Sequence, residues 1–169
     1  MLKEILSGTK IFIDSNILIY HFLDILESCT SFLKRVEIGD IEAYTSTIVL
    51  AEVLHRLMIA EVVEKYNIKP KNALRLLKEK TEIIPMLEKG EKAIQKIPEF
   101  SIKVLSSPIE AIWQSRKFRR EYSLLTNDSL NLYIMRINHL SHIATNDTDF
   151  ERVKGVKVWK PSTSDKIKL

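Results

Sequence analysis

Residues 10–13, Lys10-Ile11-Phe12-Ile13, form a short apolar run rich in β-branched side chains, and Asp14-Ser15-Asn16 follows directly. Such a run is typical of a buried strand, and the polar residues mark its end. Apolar residues at helical spacing then occupy 17–25, with Ser15 or Asn16 as the expected cap. The chain therefore opens with a strand, an acidic residue and a helix.

Strands and helices alternate along the rest of the chain. Further strands are predicted at 41–45, 102–105, 142–145 and 156–159. Helices are predicted at 31–36, 48–66, 70–80, 91–97, 108–121 and 129–138, with Thr47 as the cap of the long one. This alternation predicts an α/β fold with a central parallel sheet between layers of helices.

Length and composition indicate one ordinary globular domain. The chain has 169 residues, of which 45% are hydrophobic and 28% charged, with a net charge of +4. We expect a single domain at 1–161 and a polar tail at 162–169. The four glycines are scattered, which argues against a P-loop or a dinucleotide fingerprint, because both need clustered glycines.

Several features predict a cytoplasmic protein. Cys29 is the only cysteine, so an internal disulfide cannot form. The N-terminus has no apolar stretch long enough for a signal peptide. The most apolar window, 48–60, is interrupted by Glu52, His55 and Arg56 and is too short to span a bilayer. The mildly basic charge permits an acidic partner such as RNA but does not require one.

Four acidic residues fall where strands end or helices begin. They are Asp14 after the first strand, Glu52 in the first turns of the long helix, Asp128 in the link before the helix at 129, and Asp147 after the fourth strand. In a parallel sheet these positions share one rim. Crowded carboxylates repel each other unless a cation lies between them, and an all-oxygen ligand set suits Mg²⁺ or Mn²⁺.

Each acid also has an ordinary structural explanation. Asp14 could form an Asx-turn, Asp128 could cap the next helix, and Asp147 could be a loop or capping residue. Glu52 could pair with Arg56 four residues later. A charge inside an apolar helical run is costly when buried, so Glu52 is the acid that is hardest to explain in this way.

Four motifs resemble those of PIN-domain nucleases and occur along the chain in the same order as in that family. They are Ile11-Phe12-Ile13-Asp14-Ser15-Asn16-Ile17-Leu18-Ile19-Tyr20, Ser46-Thr47-Ile48-Val49-Leu50-Ala51-Glu52-Val53, Leu124-Leu125-Thr126-Asn127-Asp128-Ser129-Leu130 and Ile143-Ala144-Thr145-Asn146-Asp147-Thr148-Asp149-Phe150. Val156-Lys157-Val158-Trp159 resembles the closing strand. The subgroup that the chain resembles most is the toxin component of VapBC toxin–antitoxin pairs.

The resemblance implies a three-layer α/β/α sandwich and cleavage of RNA that depends on Mg²⁺ or Mn²⁺. It also implies an antitoxin partner and a homodimer. By position, the acids are Asp14, Glu52, Asp128 and Asp147, with Asp149 auxiliary, and Asn16 and Thr145 would support them. For the dimer we also expect that the apolar first helix, 17–26, offers a second face.

Other sequence features are less informative. Residues 81–100 match no motif of the family, and the basic cluster Arg116-Lys117-Phe118-Arg119-Arg120 could contact phosphates or complement a helix C-terminus. His139 and His142 lack further zinc ligands nearby. Cys29 has no evident base partner.

Three other functions compete with a toxin nuclease. A haloacid-dehalogenase-type phosphatase would need a second Asp at position 16, where the chain has Asn16. A catalytically silent RNA-binding module of the same fold would not need all four acids. A PIN nuclease that acts in RNA processing rather than as a toxin would share the chemistry.

Overall fold

The computed structural model describes residues 1–162, and its centre is a five-stranded parallel sheet. The strands are β1 (Lys10–Ile13), β2 (Glu42–Ser46), β3 (Lys103–Leu105), β4 (His142–Ala144) and β5 (Lys157–Trp159). Their spatial order is β3-β2-β1-β4-β5, and every pairing is parallel. The predicted parallel α/β fold is therefore confirmed.

Within residues 1–162, eight α-helices connect or flank the strands. They are α1 (Ser15–Phe22), α2 (Glu27–Glu37), α3 (Thr47–Tyr66), α4 (Pro70–Glu79), α5 (Lys89–Lys96), α6 (Glu110–Gln114), α7 (Arg116–Tyr122) and α8 (Thr126–Ile137). Short 3₁₀ turns occupy Leu2–Glu4, Thr81–Met86, Ile97–Phe100 and Asp149–Arg152. None of these helices is both long enough and apolar enough to cross a membrane.

The strand order places a switch point between β1 and β4. The chain moves outward from β1 through β2 to β3, and then returns to the other side of β1 for β4 and β5. Right-handed crossovers in opposite directions place helices on both faces of the sheet. Ile11, Phe12 and Ile13 are consequently all buried, as expected for a central strand covered on both sides.

Three local predictions need correction. Ser46, not Thr47, caps α3, because its Oγ accepts a hydrogen bond from the Val49 amide at 3.1 Å. Asp14, rather than Ser15 or Asn16, caps α1. The helix predicted at 108–121 is divided at Ser115, whose buried hydroxyl donates to the Ile112 carbonyl and so competes with the regular helical bonds.

Ile83 and Leu87 pack with α4 on the second half of α3, whereas Ala93 and Ile97 belong to the main core around the sheet. A small separate core contains Val62 of α3, Ala73 and Leu77 of α4, and Ile83 and Leu87 beyond it. α5 packs closely on α3. A Cβ at Gly90 would come within 2.7 Å of Leu54 Cδ1.

A buried carboxylate ties α5 to α3. Glu61 is only 3% exposed, and its side chain accepts from the Lys89 amide at 2.8 Å and pairs with Lys65 at 2.6 Å. Burial opposes ionisation of Glu61, but the bonds from Lys65 and from backbone amides outweigh it, so its pKa is lowered. The polar tail predicted at 162–169 lies outside the described residues except for Ser162.

Candidate active site

The first two site residues meet because β1 and β4 are neighbours. Phe12 pairs with Ile143 and Ile13 with Ala144, and the Asp14 amide donates to the Ala144 carbonyl at 3.0 Å. The residues that follow the two strands, Asp14 and Thr145, therefore lie side by side. Parallel register alone brings together side chains that are far apart in the sequence.

The Asp14 carboxylate is held by three hydrogen bonds. Its Oδ2 accepts from Thr145 Oγ1 and from Asn16 Nδ2, both at 2.6 Å. Its Oδ1 accepts from the Ser15 amide at 2.7 Å, which also caps α1. Burial raises the pKa of Asp14, and the bonds from Thr145 and Ser15 oppose that rise. Asp14 thus caps α1 and also presents a buried carboxylate at the rim of the sheet.

The loop after β4 is fixed to the same residues. Thr145 Oγ1 accepts from the Asp147 amide at 3.0 Å, and Asn16 Oδ1 accepts from the Asn146 amide at 2.8 Å. Asp147 Oδ1 in turn accepts from the Asp149 amide at 2.8 Å, as in an Asx-turn. Asn16 and Thr145, predicted as supporting residues, therefore orient both Asp14 and the fourth acidic motif.

Asp128 lies inside the first turn of α8, not in the link before it. Leu125 is the N-cap, and the cap makes no side-chain hydrogen bond, so Asp128 is not the capping residue. One carboxylate oxygen of Asp128 lies within 4.8 Å of oxygens from Asp147 and Asp149. Burial, then the negative charges of Asp14 and Asp147, raise the pKa of Asp128 to about 7.

Two polar contacts that the sequence analysis missed position α8. Ser46 Oγ donates to Asn131 Oδ1 at 2.7 Å, which links the start of α3 to the buried side of α8. Arg119 Nη1 donates to Ser129 Oγ at 3.1 Å, next to Asp128. Neither contact has a local sequence signal, because the partners meet only in the tertiary fold.

The acids open onto one cleft of about 540 Å³. Asp14, Glu52, Asp128 and Asp147 all line it, whereas Asp149 is not among its lining residues. Beyond the acids the wall is mostly apolar and continues to α4; it is formed by Ile19, Tyr20, Leu23, Ile59, Ala60, Val63 and Pro70. Tyr20 Oη accepts from Asn146 Nδ2 at 3.2 Å, which fixes the ring beside the loop.

The remaining candidate residues singled out in the sequence are not among the lining residues of the cleft. Arg116, Lys117 and Arg120 line a separate open concavity with Trp113. Asp149 Oδ1 accepts from Arg152 Nη1 at 2.9 Å. His142 Nδ1 is 3.1 Å from the Trp159 Nε1 that donates to it, and Cys29 is buried.

The donor set fits a divalent cation. The available donors are hard carboxylate oxygens. Those of Asp128, Asp147 and Asp149 lie within 4.8 Å of one another, and Asp14 and Glu52 line the same cleft as Asp128 and Asp147. Besides burial, the negative charges of Asp14 and Asp147 raise the pKa of Asp128. A cation would relieve this repulsion, and one-sided carboxylate coordination leaves positions for solvent or substrate.

Known structures share this fold at low sequence identity. A crystal structure of VapBC2 from Rickettsia felis bound to a promoter DNA fragment aligns with a TM-score of 0.58 and 15% identity, covering 91% of this chain and 100% of that chain. The structure of VapC20 from Mycobacterium tuberculosis, a toxin that cleaves the sarcin–ricin loop, aligns with a TM-score of 0.57 and 14% identity over 85% and 95% of the two chains.

Sequence comparison gives more direct evidence. Ribonuclease VapC2 from Methanocaldococcus jannaschii is 31% identical over 150 residues, which is 88% of this chain and 92% of the relative. The sequence profile of the PIN domain matches residues 11–156, a span that contains all four acids of the cleft. On this evidence the chain belongs to the PIN-domain family.

Proposed function

We propose that this protein is a metal-dependent endoribonuclease that hydrolyses phosphodiester bonds of RNA, and that it is the toxin of a toxin–antitoxin pair. The observation that carries the proposal is the convergence of Asp14, Glu52, Asp128 and Asp147 on one cleft at the switch point of the sheet. The ribonuclease name of the relative and the toxins among the structural neighbours support it.

Mg²⁺ or Mn²⁺ is the ion that we propose for this site. Asp14, Glu52, Asp128 and Asp147 would hold it, with Asp149 as an auxiliary ligand. When bound, the ion supplies activation of the attacking water and neutralises charge on the scissile phosphate. Neither His nor Cys lines the cleft, which argues against zinc.

The protein residues prepare the site for that chemistry. Thr145 and Asn16 hold Asp14 Oδ2 in one orientation, so the carboxylate does not need to reorganise when the ion and substrate bind. Asp128, with a pKa of about 7, loses its proton near neutral pH. The apolar wall beyond Tyr20 excludes water from one side of the cleft and offers a surface for a nucleobase.

The experiment is RNA cleavage with Mg²⁺ or Mn²⁺ by the wild type and by D14N, with EDTA as the metal-free arm. We expect D14N to lose about a hundredfold or more in rate, because it removes a ligand charge from the site. D24N is the matched control, since Asp24 is exposed and lies outside the cleft.

A melting curve provides a second measurement. Millimolar Mn²⁺ should raise the melting temperature of the wild type, because a ligand of the folded state stabilises it by mass action. D14N should melt at or above the wild-type temperature in EDTA, since a neutral amide relieves the burial of charge and offsets the hydrogen bonds that the carboxylate accepts. RNA binding without cleavage and without a metal shift would instead favour a silent RNA-binding module.

The toxin role has a separate test. Expression of the wild type should arrest the growth of a bacterial host, whereas expression of D14N should not. Cleavage in vitro without growth arrest would favour a nuclease that acts in RNA processing.

A further inference from the structure

Arg56 lies on α3 one helical turn after Glu52, and its side chain is exposed. Both residues line the acidic cleft, and both also line a neighbouring concavity of about 510 Å³. The other lining residues of that concavity are Ile48, Ala51, His55 and Asn127. The two hollows therefore adjoin at Glu52 and Arg56 of α3, and together they are called the groove below.

Arg56 is the only lysine or arginine among the residues that line the acidic cleft, which also presents four carboxylates. Glu52 precedes Arg56 by four residues, an order that favours an ion pair on a helix. Within residues 1–162, however, no ion pair or hydrogen bond involves the Arg56 side chain. Its guanidinium is thus available to a ligand in the groove.

A strand of RNA presents a phosphate at every nucleotide. If one phosphodiester lies at the acids, the neighbouring phosphates lie in the two adjoining hollows on either side, where the carboxylates would repel them. A guanidinium offers planar paired donors that match phosphate oxygens. The basic cluster at Arg116, Lys117 and Arg120 is less suited, because its concavity shares no residue with the cleft.

We propose that Arg56 binds a backbone phosphate of the RNA next to the scissile phosphodiester. The inference rests on the proposed ribonuclease function and names the residue that holds its substrate. Arg56 is a substrate-binding residue, and it acts on the position of the strand rather than on the metal.

Cleavage kinetics test this in R56Q, R56K and the control R75Q. Arg75 is also an exposed helical arginine, but it lies on α4 outside the cleft. R56Q should raise KM about tenfold, the size expected for one charge-assisted hydrogen bond, with a much smaller effect on kcat. R56K should recover part of the loss because it keeps the charge, and R75Q should match the wild type.

Binding separates a phosphate contact from a structural effect. An RNA oligonucleotide is titrated with D14N and with D14N/R56Q over a range of salt concentrations. Loss of one phosphate contact on a single strand should reduce the slope of log K against log[salt] by about 0.7. The affinity of D14N for RNA should fall more steeply with salt concentration than the affinity of D14N/R56Q.

The outcomes are distinguishable from those of the proposed function. An unchanged KM in R56Q, together with the same salt slope in D14N and D14N/R56Q, would overturn the inference while wild-type cleavage still supports the nuclease. Absence of cleavage by the wild type would count against the nuclease, and the binding arm would still test Arg56. A loss in R120Q with none in R56Q would place the phosphate contact on α7 instead.

Discussion

Thr145 Oγ1 donates a hydrogen bond of 2.6 Å to Asp14 Oδ2 across 131 positions of sequence. The same oxygen accepts from Asn16 Nδ2 and from the Asp147 amide, each at 3.0 Å. One fully buried hydroxyl therefore connects the first acidic motif to the fourth. The geometry of the site depends on this residue although it is not itself an acid.

T145V should lower the cleavage rate by about 10–100-fold, the usual effect of losing a residue that orients a metal ligand. It should also cost about 1–3 kcal/mol of unfolding free energy, because the partners of a buried hydroxyl are left unsatisfied. The measurements are cleavage at saturating Mn²⁺ and denaturant unfolding. T145S, which keeps the hydroxyl, should recover most of both losses.

T148V is the control for this prediction. Thr148 is exposed in the same loop, so the same loss of a hydroxyl should leave the rate and the stability close to wild type. Equal damage in T145V and T148V would mean that the loop is sensitive to any substitution and would contradict a specific role of Thr145.

The stability of the metal-free protein should depend on pH through Asp128. Its pKa is raised from 3.8 to about 7 in the folded protein, so the folded state binds the proton more tightly than the unfolded state. The free energy of unfolding contributed by this group is therefore highest at low pH and falls as pH rises from about 4 to about 7. D128N has no carboxyl group at this position, so this fall in the free energy of unfolding should be absent.

Melting curves in EDTA across that pH range measure the effect. The melting temperature of D128N should match the wild type near pH 4 and exceed it near pH 7.5, with the difference growing in between. D24N should show no such trend. A difference between D128N and wild type that does not change with pH would contradict the raised pKa.

D147A should lose more activity than D149A. Asp147 lines the cleft, whereas Asp149 does not and accepts a hydrogen bond from Arg152. Removing a ligand of the metal should cost about a hundredfold or more, and an outer ligand about 10–100-fold. Cleavage rates at saturating Mn²⁺, with folding checked by circular dichroism, compare the two variants directly.

The opposite order of damage would place Asp149 in the site in place of Asp147. Both residues are near Asp128, because a carboxylate oxygen of each lies within 4.8 Å of an Asp128 carboxylate oxygen. D147A also removes the acceptor of the Asp149 amide, so its melting temperature must be measured beside its rate.

A homodimer remains a prediction, but its surface moves from α1 to α6. Ile17 and Leu18 are fully buried, and the remaining apolar residues of α1 are partly covered. Ile109, Ile112 and Trp113 are instead exposed at helical spacing, with Trp113 63% exposed. Such a stripe of large apolar side chains is characteristic of an interface.

W113E should give a monomer by light scattering at micromolar concentration, where the wild type should be a dimer. A charge in a buried interface is costly because it loses its hydration. L74E is the control, since Leu74 is also an exposed apolar residue but lies on α4. A monomeric wild type, or a W113E dimer of unchanged strength, would refute this assignment.

The parallel sheet, and the position of the four acids along one cleft, could be predicted because both depend on local signals. An apolar run ended by Asp14 marks a buried strand wherever it occurs, and the carboxyl ends of parallel strands share one rim. These two facts predict that Asp14 and Asp147 lie close together without knowledge of any contact. The order of the strands could not be predicted from alternation alone.

The errors occur where tertiary contacts decide. The helix breaks at Ser115, whose hydroxyl donates to the Ile112 carbonyl and accepts from Arg119 Nη1. The sequence there contains no Pro or Gly that would have predicted the break. The alternative of a Glu52–Arg56 pair is not met, because within residues 1–162 no ion pair or hydrogen bond involves the Arg56 side chain. Residues 81–100 were unclear because their packing is divided between two cores: Ile83 and Leu87 pack in the small core on α3 and α4, and Ala93 and Ile97 pack in the main core.

The second, smaller core is expected to unfold locally at a lower free energy than the main core around the sheet. Val62, Ala73 and Leu77 form part of a cluster far smaller than the one around the sheet, so we expect amide hydrogens of α4 to exchange faster than those of β1. Val63 and Pro70, which wall the cleft, lie on this weaker unit. Local opening of this part would therefore widen the cleft while Asp14 and its hydrogen bonds stay in place.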